Sequence, residues 1–492
     1  MFEITFLGHQ SWQFSAPGTT ILLDPLLCEG FGQDPRGNGF DVFPPRQLAF
    51  DRCPAIDAVL FSHEHEDHFN IGSLERLDRR IPIHLSARSS SAARRILAEL
   101  GFQVALMQPG QSFDVGGIRI LPLPQESLAG SHPGEWDSLA LYITDHGAHG
   151  SFFSTVDHRP HARTFEMLRQ RGLRPAAVAY ADNEQDHSFA FPWAGPGADG
   201  SAALAEELRQ LLERSIPRDH RPSAILVCAN GMSTRGELAW MNEIIWHRDP
   251  IAACTRLRQF GDLFLAPLPG DTLAFQHGRR MRSLAHSPWI SPLAESSWPP
   301  HRGGGQAAAS FAPATGRRRL DEAGRRALSA ALDEFARFLY GSSVFTETYL
   351  LDTDATGGRR PTMAFVLSDG DDAEPSGVAT VWAWDASGCR FVPESSSRPE
   401  EEFVAGARCW ASDLLAVLTV EMPAASLTLG RLNGWNAVPS RLRFDLPNLL
   451  HMFCHPLRAP ERFLALYRGL VTGASPLLAA AAESANSPRA AS

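Results

Sequence analysis

Asp57-Ala58-Val59-Leu60-Phe61-Ser62-His63-Glu64-His65-Glu66-Asp67-His68 is the stretch on which the fold turns. An apolar run reads as a buried strand, and it ends in three imidazoles and three carboxyls within six residues. In extended chain, side chains two apart project to the same side, so His63 and His65 are placed to share one metal ion. Asp67 and His68 follow where the chain turns towards a helix, and they address a second ion beside the first. Imidazole and carboxylate donors together suit zinc, iron or manganese. The plainer alternative is a charged, solvated turn between strand and helix. So many ligating groups directly after a buried strand speak against it. The spacing also excludes a zincin helix, which would need histidine at 67 or 69, where Asp67 and Phe69 stand.

Composition narrows the chemistry further. The 492-residue chain contains no lysine: all 45 basic side chains are arginine, against 55 acidic ones, for a net charge of −10. Absence of lysine excludes Schiff-base chemistry, a P-loop nucleotide cradle and the protein-kinase lysine. The acidic balance argues against a nucleic-acid-coating protein. Seven scattered cysteines without a CxxC pair do not form a disulfide framework, and a reducing, cytoplasmic setting is expected. No apolar run reaches the roughly 18 residues of a membrane helix, and no membrane association is expected. At 44% hydrophobic residues the chain can bury a large core.

At about 150 residues per domain, two or three domains are expected. Sixteen of the 18 histidines lie at or before His301. Residues 1–285 read as a metal-binding catalytic domain, 286–318 as a Pro/Gly/Ser-rich linker or insertion, 319–475 as a smaller α+β domain, and 476–492 as a flexible tail. In the first part, strands are expected at Ile4–Leu7, Thr20–Leu23, Ala58–Phe61, Ile118–Leu121, Leu139–Thr144, Ser151–Thr155, Ala177–Tyr180 and Ala224–Cys228. Helices are expected at Gly72–Leu77, Ser90–Leu100, His161–Arg171, Ala202–Arg214 and Arg235–His247. Strands with interspersed helices indicate two mixed sheets packed face to face with helices outside. The second part offers a helix over Leu320–Tyr340, hairpin strands around Met363–Leu367 and Val378–Trp384, and helices over Ser412–Glu421 and Leu446–Cys454.

The HxHxDH pattern of His63 to His68 resembles the signature of the metallo-β-lactamase superfamily. Gly8-His9-Gln10-Ser11 followed by Leu22-Leu23-Asp24-Pro25 is similar to the opening strands of its lactonase-like branch. Phe153-Ser154-Thr155-Val156-Asp157 resembles the strand that ends in the family's metal-bridging aspartate. Four segments, beginning at His132, Ser154, Ala179 and Pro267, resemble the metallo-β-lactamase-like part of CMP-N-acetylneuraminate hydroxylase. The resemblance covers roughly residues 1–275. It implies an α/β fold, an αββα sandwich followed by the smaller α+β domain, and two divalent metal ions held by His63, His65, Asp67, His68 and Asp157, with Asp67 and His68 also catalytic.

Departures from that pattern matter as much as matches. Glu126 stands about where the family's third histidine belongs, with His132 as its rival. Asn230 occupies the place of the last histidine, and His247 or His187 would have to substitute from elsewhere; His9 is a further residue within reach. Carboxylate in place of imidazole hardens the site and shifts preference from zinc towards iron or manganese. Gly195 to Gly200 spells GxGxxG, but the broken run before it is no Rossmann strand.

Three functions follow. A non-haem di-iron oxygenase would hold its irons with His63, His65, Asp67, His68, Asp157 and Glu126 and use O₂ to hydroxylate a small polar or anionic substrate. The β-hydroxylase of the chloramphenicol pathway is similar in carrying Glu at the third-histidine place. Electrons would come from an external donor, since no flavin, haem or iron–sulfur motif is present. The alternative is a hydrolase of an ester, lactone or phosphodiester that uses a metal-activated water. A binding module that no longer turns over is the third reading. The oxygenase is the favoured expectation.

Overall fold

A computed structural model describes residues 1–32, 39–124, 138–182, 200–229, 231–236, 239, 242, 249–298, 319–352, 354–370, 378–428, 431–438 and 446–471. Two large sheets form the first part. Eight strands make one of them, in the spatial order Arg279–His286, Asp271–Gln276, Phe2–Gly8, Ser11–Ala16, Thr19–Leu23, Ala58–Phe61, Ile83–Ser86 and Val104–Met107. The other has seven, in the order Phe113–Val115, Ile118–Pro124, Leu139–Asp145, Ser151–Ser154, Ala177–Ala181, Ala224–Cys228 and Phe264–Leu265.

Alternation along each strand explains why the sheets stack and why helices cover them. Ile21, Leu23, Ala58 and Leu60 point into one core with Ile118, Ile120, Leu141 and Phe152 of the opposite sheet. Their neighbours Leu22, Val59 and Phe61 point outward, against the helices Ile71–Glu75 and Ser91–Glu99. In the second sheet Phe153, Val178 and Ile225 likewise turn outward, against Ala162–Gln170, Gly200–Gln210 and Pro250–Arg256. Period-two burial on both faces of both sheets yields the expected αββα sandwich. Helix starts are set locally: the Asn70 side chain accepts from Ser73 N, and Ser90 Oγ from Ala92 N and Ala93 N.

The second part is α+β. Five strands run in the order Arg390–Glu394, Val378–Asp385, Arg360–Asp369, Phe403–Trp410 and Leu432–Asn436. The helices Glu322–Tyr340, Ala411–Leu418, Ala424–Thr428 and Leu446–Phe453 share one apolar core with this sheet. The final described helix, Pro460–Val471, bridges two cores: Phe463 and Leu466 pack against this one. Its Leu464 and Tyr467 are buried among Phe69, Ile71, Leu74 and Leu97 of the sandwich. Around them, Arg468 bonds the Glu99 carboxylate through two nitrogens at 2.6 and 2.8 Å, and Arg95 pairs with Glu461.

Two expectations differ from what is found. The expected helix Arg235–His247 starts on a residue that instead closes the strand Met232–Arg235, because this segment finds an antiparallel partner in Gly39–Val42. Most of 237–248 lies outside the described residues. The expected linker from 286 begins as part of the sandwich: Ile290–Pro292 pairs with Arg46–Leu48, and buried Trp289 donates its Nε1–H to Gln13 Oε1 at 2.9 Å. Its large apolar groups find burial and so override the Pro/Ser-rich composition.

Phe152 joins the two sheets, its ring 5.1 Å from that of Trp12 and 4.9 Å from that of Phe14. Phe152→Ala is expected to destabilise the sandwich by about 3–5 kcal/mol, by loss of burial plus a cavity. A lowered urea midpoint at unchanged denaturant slope is the measurement.

Candidate metal centre

Five strands deliver their C-terminal ends to one edge of the sandwich. Phe2–Gly8 leads to His9, Thr19–Leu23 to Asp24, Ala58–Phe61 to Ser62 and His63, Ser151–Ser154 to Asp157, and Ala224–Cys228 to Ala229. Backbone bonds tie these ends together, from Asp24 N to Leu60 O (2.9 Å) and from Ala229 N to His9 O (2.8 Å). His9, Asp24, Val156 and Ala229 all have φ between 45° and 57°, a left-handed conformation unusual for residues with a Cβ. Four such residues in one place mark backbone held in costly conformations to aim its side chains.

After His65 the chain turns sharply, with His68 N bonded to His65 O at 3.0 Å, and this turn carries Asp67 and His68 round to face His63. Two groups of potential ligands result: His63, His65 and Asp157, and His9, Asp67 and His68. Within each group the ligand atoms lie within 4.8 Å of one another. Asp157 stands between the two groups. Its Oδ2 is 3.2 Å from His63 Nε2 and 3.8 Å from His65 Nδ1, and its Oδ1 is 3.0 Å from His68 Nε2.

Neighbouring residues fix the rings. Asp24 Oδ2 engages His68 Nδ1 at 2.9 Å, which leaves Nε2 turned to the centre. Asp24 also receives Ser62 N at 2.8 Å and Ser62 Oγ at 2.6 Å. The same hydroxyl lies 2.9 Å from His63 Nδ1. His63 Nε2 is buried and faces Asp157 Oδ2 without good hydrogen-bond geometry, as suits two atoms turned to a shared ion. Gln10 Nε2 donates to Asp157 Oδ1, and His9 Nε2 lies 2.8 Å from Asp67 Oδ2.

Electrostatics match this geometry. Burial opposes charge on His68, but Asp157, Asp67 and Asp24 outweigh it and hold its pKa well above the usual imidazole value. Burial likewise works to raise Asp67 and Asp157, and the His68 charge with hydrogen bonds from the surrounding rings takes both well below the carboxylate range. Carboxylates converging on a buried spot call for positive charge, and a divalent ion supplies it. Cys228 sits close by, but burial pushes its thiol far up, so it packs rather than ligates.

Of the residues singled out in the sequence, His63, His65, Asp67, His68, Asp157 and His9 are brought together here. Glu126, His132, His187, Asn230 and His247 lie outside the described residues. Asp24, Ser62 and Gln10 carry no ligand signature in the sequence; only their nearness to the motif strands hinted at them.

A sandwich of this kind with paired His/Asp groups at its strand ends defines a metallo-β-lactamase-type domain. Residues 3–147 match the family described as "Beta-lactamase superfamily domain", and the first part of the chain has the metallo-β-lactamase fold. No curated protein matches the chain. Among solved structures, a possible metal-dependent hydrolase from Veillonella parvula is 14% identical at TM-score 0.38, covering 56% of this chain and 100% of that one. Isothiocyanate hydrolase from Delia radicum gut bacteria is 17% identical at TM-score 0.38, covering 56% and 99%. CmlA, a diiron beta-hydroxylase from Streptomyces venezuelae, is 18% identical at TM-score 0.32, covering 46% and 44%. The narrower likeness to CMP-N-acetylneuraminate hydroxylase rests on sequence segments alone. No helix among the described residues is long and apolar enough to cross a membrane.

Removing the Asp24 carboxylate frees the His68 ring without touching a proposed ligand. Asp24→Asn is expected to weaken divalent-metal binding by about 10–100-fold, while Asp157→Ala abolishes binding of both ions. Equilibrium dialysis followed by elemental analysis measures both.

Proposed function

We propose that the chain is a binuclear metalloenzyme of the β-lactamase superfamily and that its reaction is oxygenation, the hydroxylation of a small polar or anionic substrate at a di-iron site. One observation carries this reading: carboxylate is mixed with imidazole in both ligand groups, Asp157 serving one and facing the other, and Asp67 completing the second. Such harder donors favour iron or manganese over zinc, and Glu126, assigned from sequence as a further ligand, would extend the trend.

When bound, a ferrous pair would supply reducing equivalents and open coordination positions for dioxygen. The chain's own residues then have defined tasks. Asp24 and Ser62 keep the His68 and His63 rings oriented. Asp67, hydrogen-bonded to His9, is the partly exposed carboxylate at the centre and, held ionised, is placed to orient a hydrogen-bond donor there. Hydroxylation consumes one O₂, two electrons and two protons per product and water formed, so an external electron donor is required.

Hydrolysis is the second reading, favoured by the same placement of Asp67 beside both His9 and His68, which suits orientation of an attacking water. Protein purified anaerobically separates the two. Two equivalents of iron and substrate-dependent O₂ uptake with a reductant are the expected result. Stoichiometric zinc with turnover of lactones or phosphodiesters would overturn oxygenation. Glu126→Ala is expected to lower iron content, and full retention would remove Glu126 from the ligand set.

A further inference from the structure

We propose that the second domain is a working part of the metal centre, and that His451 on the helix Leu446–Phe453 binds an oxyanion group of the ligand held there. This inference rests on the metal-centre reading above. His63 and His68 are fully buried, whereas the His65 side chain keeps 26% exposure and so marks the mouth of the centre. The ring of His451 lies 6.2 Å from that of His65, centroid to centroid. On its own helix, Leu446, Leu449, Leu450 and Phe453 form the stripe buried in the second domain's core, and His451 stands off that stripe, towards the first domain.

This approach is part of a wider contact. Two consecutive residues of the metal motif, Glu64 and His65, are met directly from the second domain, and Glu66 is reached through Gly32. Tyr467 donates its hydroxyl to Glu64 Oε1 at 3.5 Å, His451 faces His65, and Ser426 Oγ donates at 3.4 Å to the carbonyl of Gly32, whose own N–H bonds Glu66. The helix Pro460–Val471, sunk into the sandwich's apolar cluster, holds the whole arrangement in place. His451 lies outside both ligand groups. From beside these groups of described residues, its imidazole can donate to an oxygen of a bound ligand. A charged oxygen, carboxylate or phosphate, makes the strongest partner for such a donor.

Cobalt-loaded full-length protein tests this without any turnover assay, using acetate and inorganic phosphate as probes and the visible cobalt spectrum as readout. His451→Ala is expected to keep its cobalt and its melting temperature but to bind the anions about tenfold more weakly. His451→Gln, which retains a donor, is expected to recover most of that loss. Weakening confined to acetate identifies a carboxylate ligand, and weakening confined to phosphate identifies a phosphate ligand. Unchanged anion affinity in His451→Ala would overturn the proposal. Loss of cobalt would overturn it too, because His451 would then be a ligand. Wild-type protein that takes up no cobalt would instead bring down the metal-centre reading, and this inference with it.

Discussion

The carboxylate of Asp157 stands between two sets of imidazoles, one oxygen turned to His63 and His65 and the other to His68. Most of the architecture around it can be understood as holding that juxtaposition. The two sheets must stack so that the end of Ser151–Ser154 comes opposite the end of Ala58–Phe61, and the interleaved core of Phe14, Leu60, Phe152 and Leu226 accomplishes this. The turn after His65 must close tightly enough to return His68 to the same carboxylate. Strained backbone at His9, Asp24, Val156 and Ala229 is tolerated because rigid strands on either side over-determine it.

Around this bridge the chain spends polar groups on orientation. Asp24 takes the outer nitrogen of His68 and both donors of Ser62, so a single buried carboxylate positions two rings. Such a relay limits each imidazole to one tautomer and one direction. Charges buried this densely are costly unless paired, and the opposed shifts of His68 and the aspartates show how strongly each depends on the others.

Much of the sandwich was legible in the sequence because alternation and apolar runs are local signals. Ala58–Phe61 was expected over the span at which it is found, and the caps at Asn70 and Ser90 sit at the edges of expected helices. His63, His65, Asp67 and His68 were legible for the same reason, being packed into six residues. Asp24 and Gln10 were not, since they act on partners 44 and 147 positions away, and neither residue type announces a supporting role. Nor was the destination of Pro460–Val471. An amphipathic pattern says which residues seek burial but not against what, and here Leu464 and Tyr467 go to the other domain's cluster while Phe463 and Leu466 pack on their own. The strand at Ile290–Pro292 escaped for a related reason: its partner, Arg46–Leu48, is far away in the chain.

The contact between Tyr467 and Glu64 spans 403 residues, and that separation has a consequence for biosynthesis. The metal motif leaves the ribosome long before the helix that covers it exists. Contacts of such high sequence separation form late, because the intervening chain must first be ordered. During that interval Phe69, Ile71 and Leu74 lack the apolar cover that Leu464 and Tyr467 later provide. The newborn first domain is thus a sticky intermediate carrying an uncovered pair of ligand groups. Synthesis of the helix Pro460–Val471 ends that vulnerable period, and chains broken off earlier stay in it, where chaperones and proteases act.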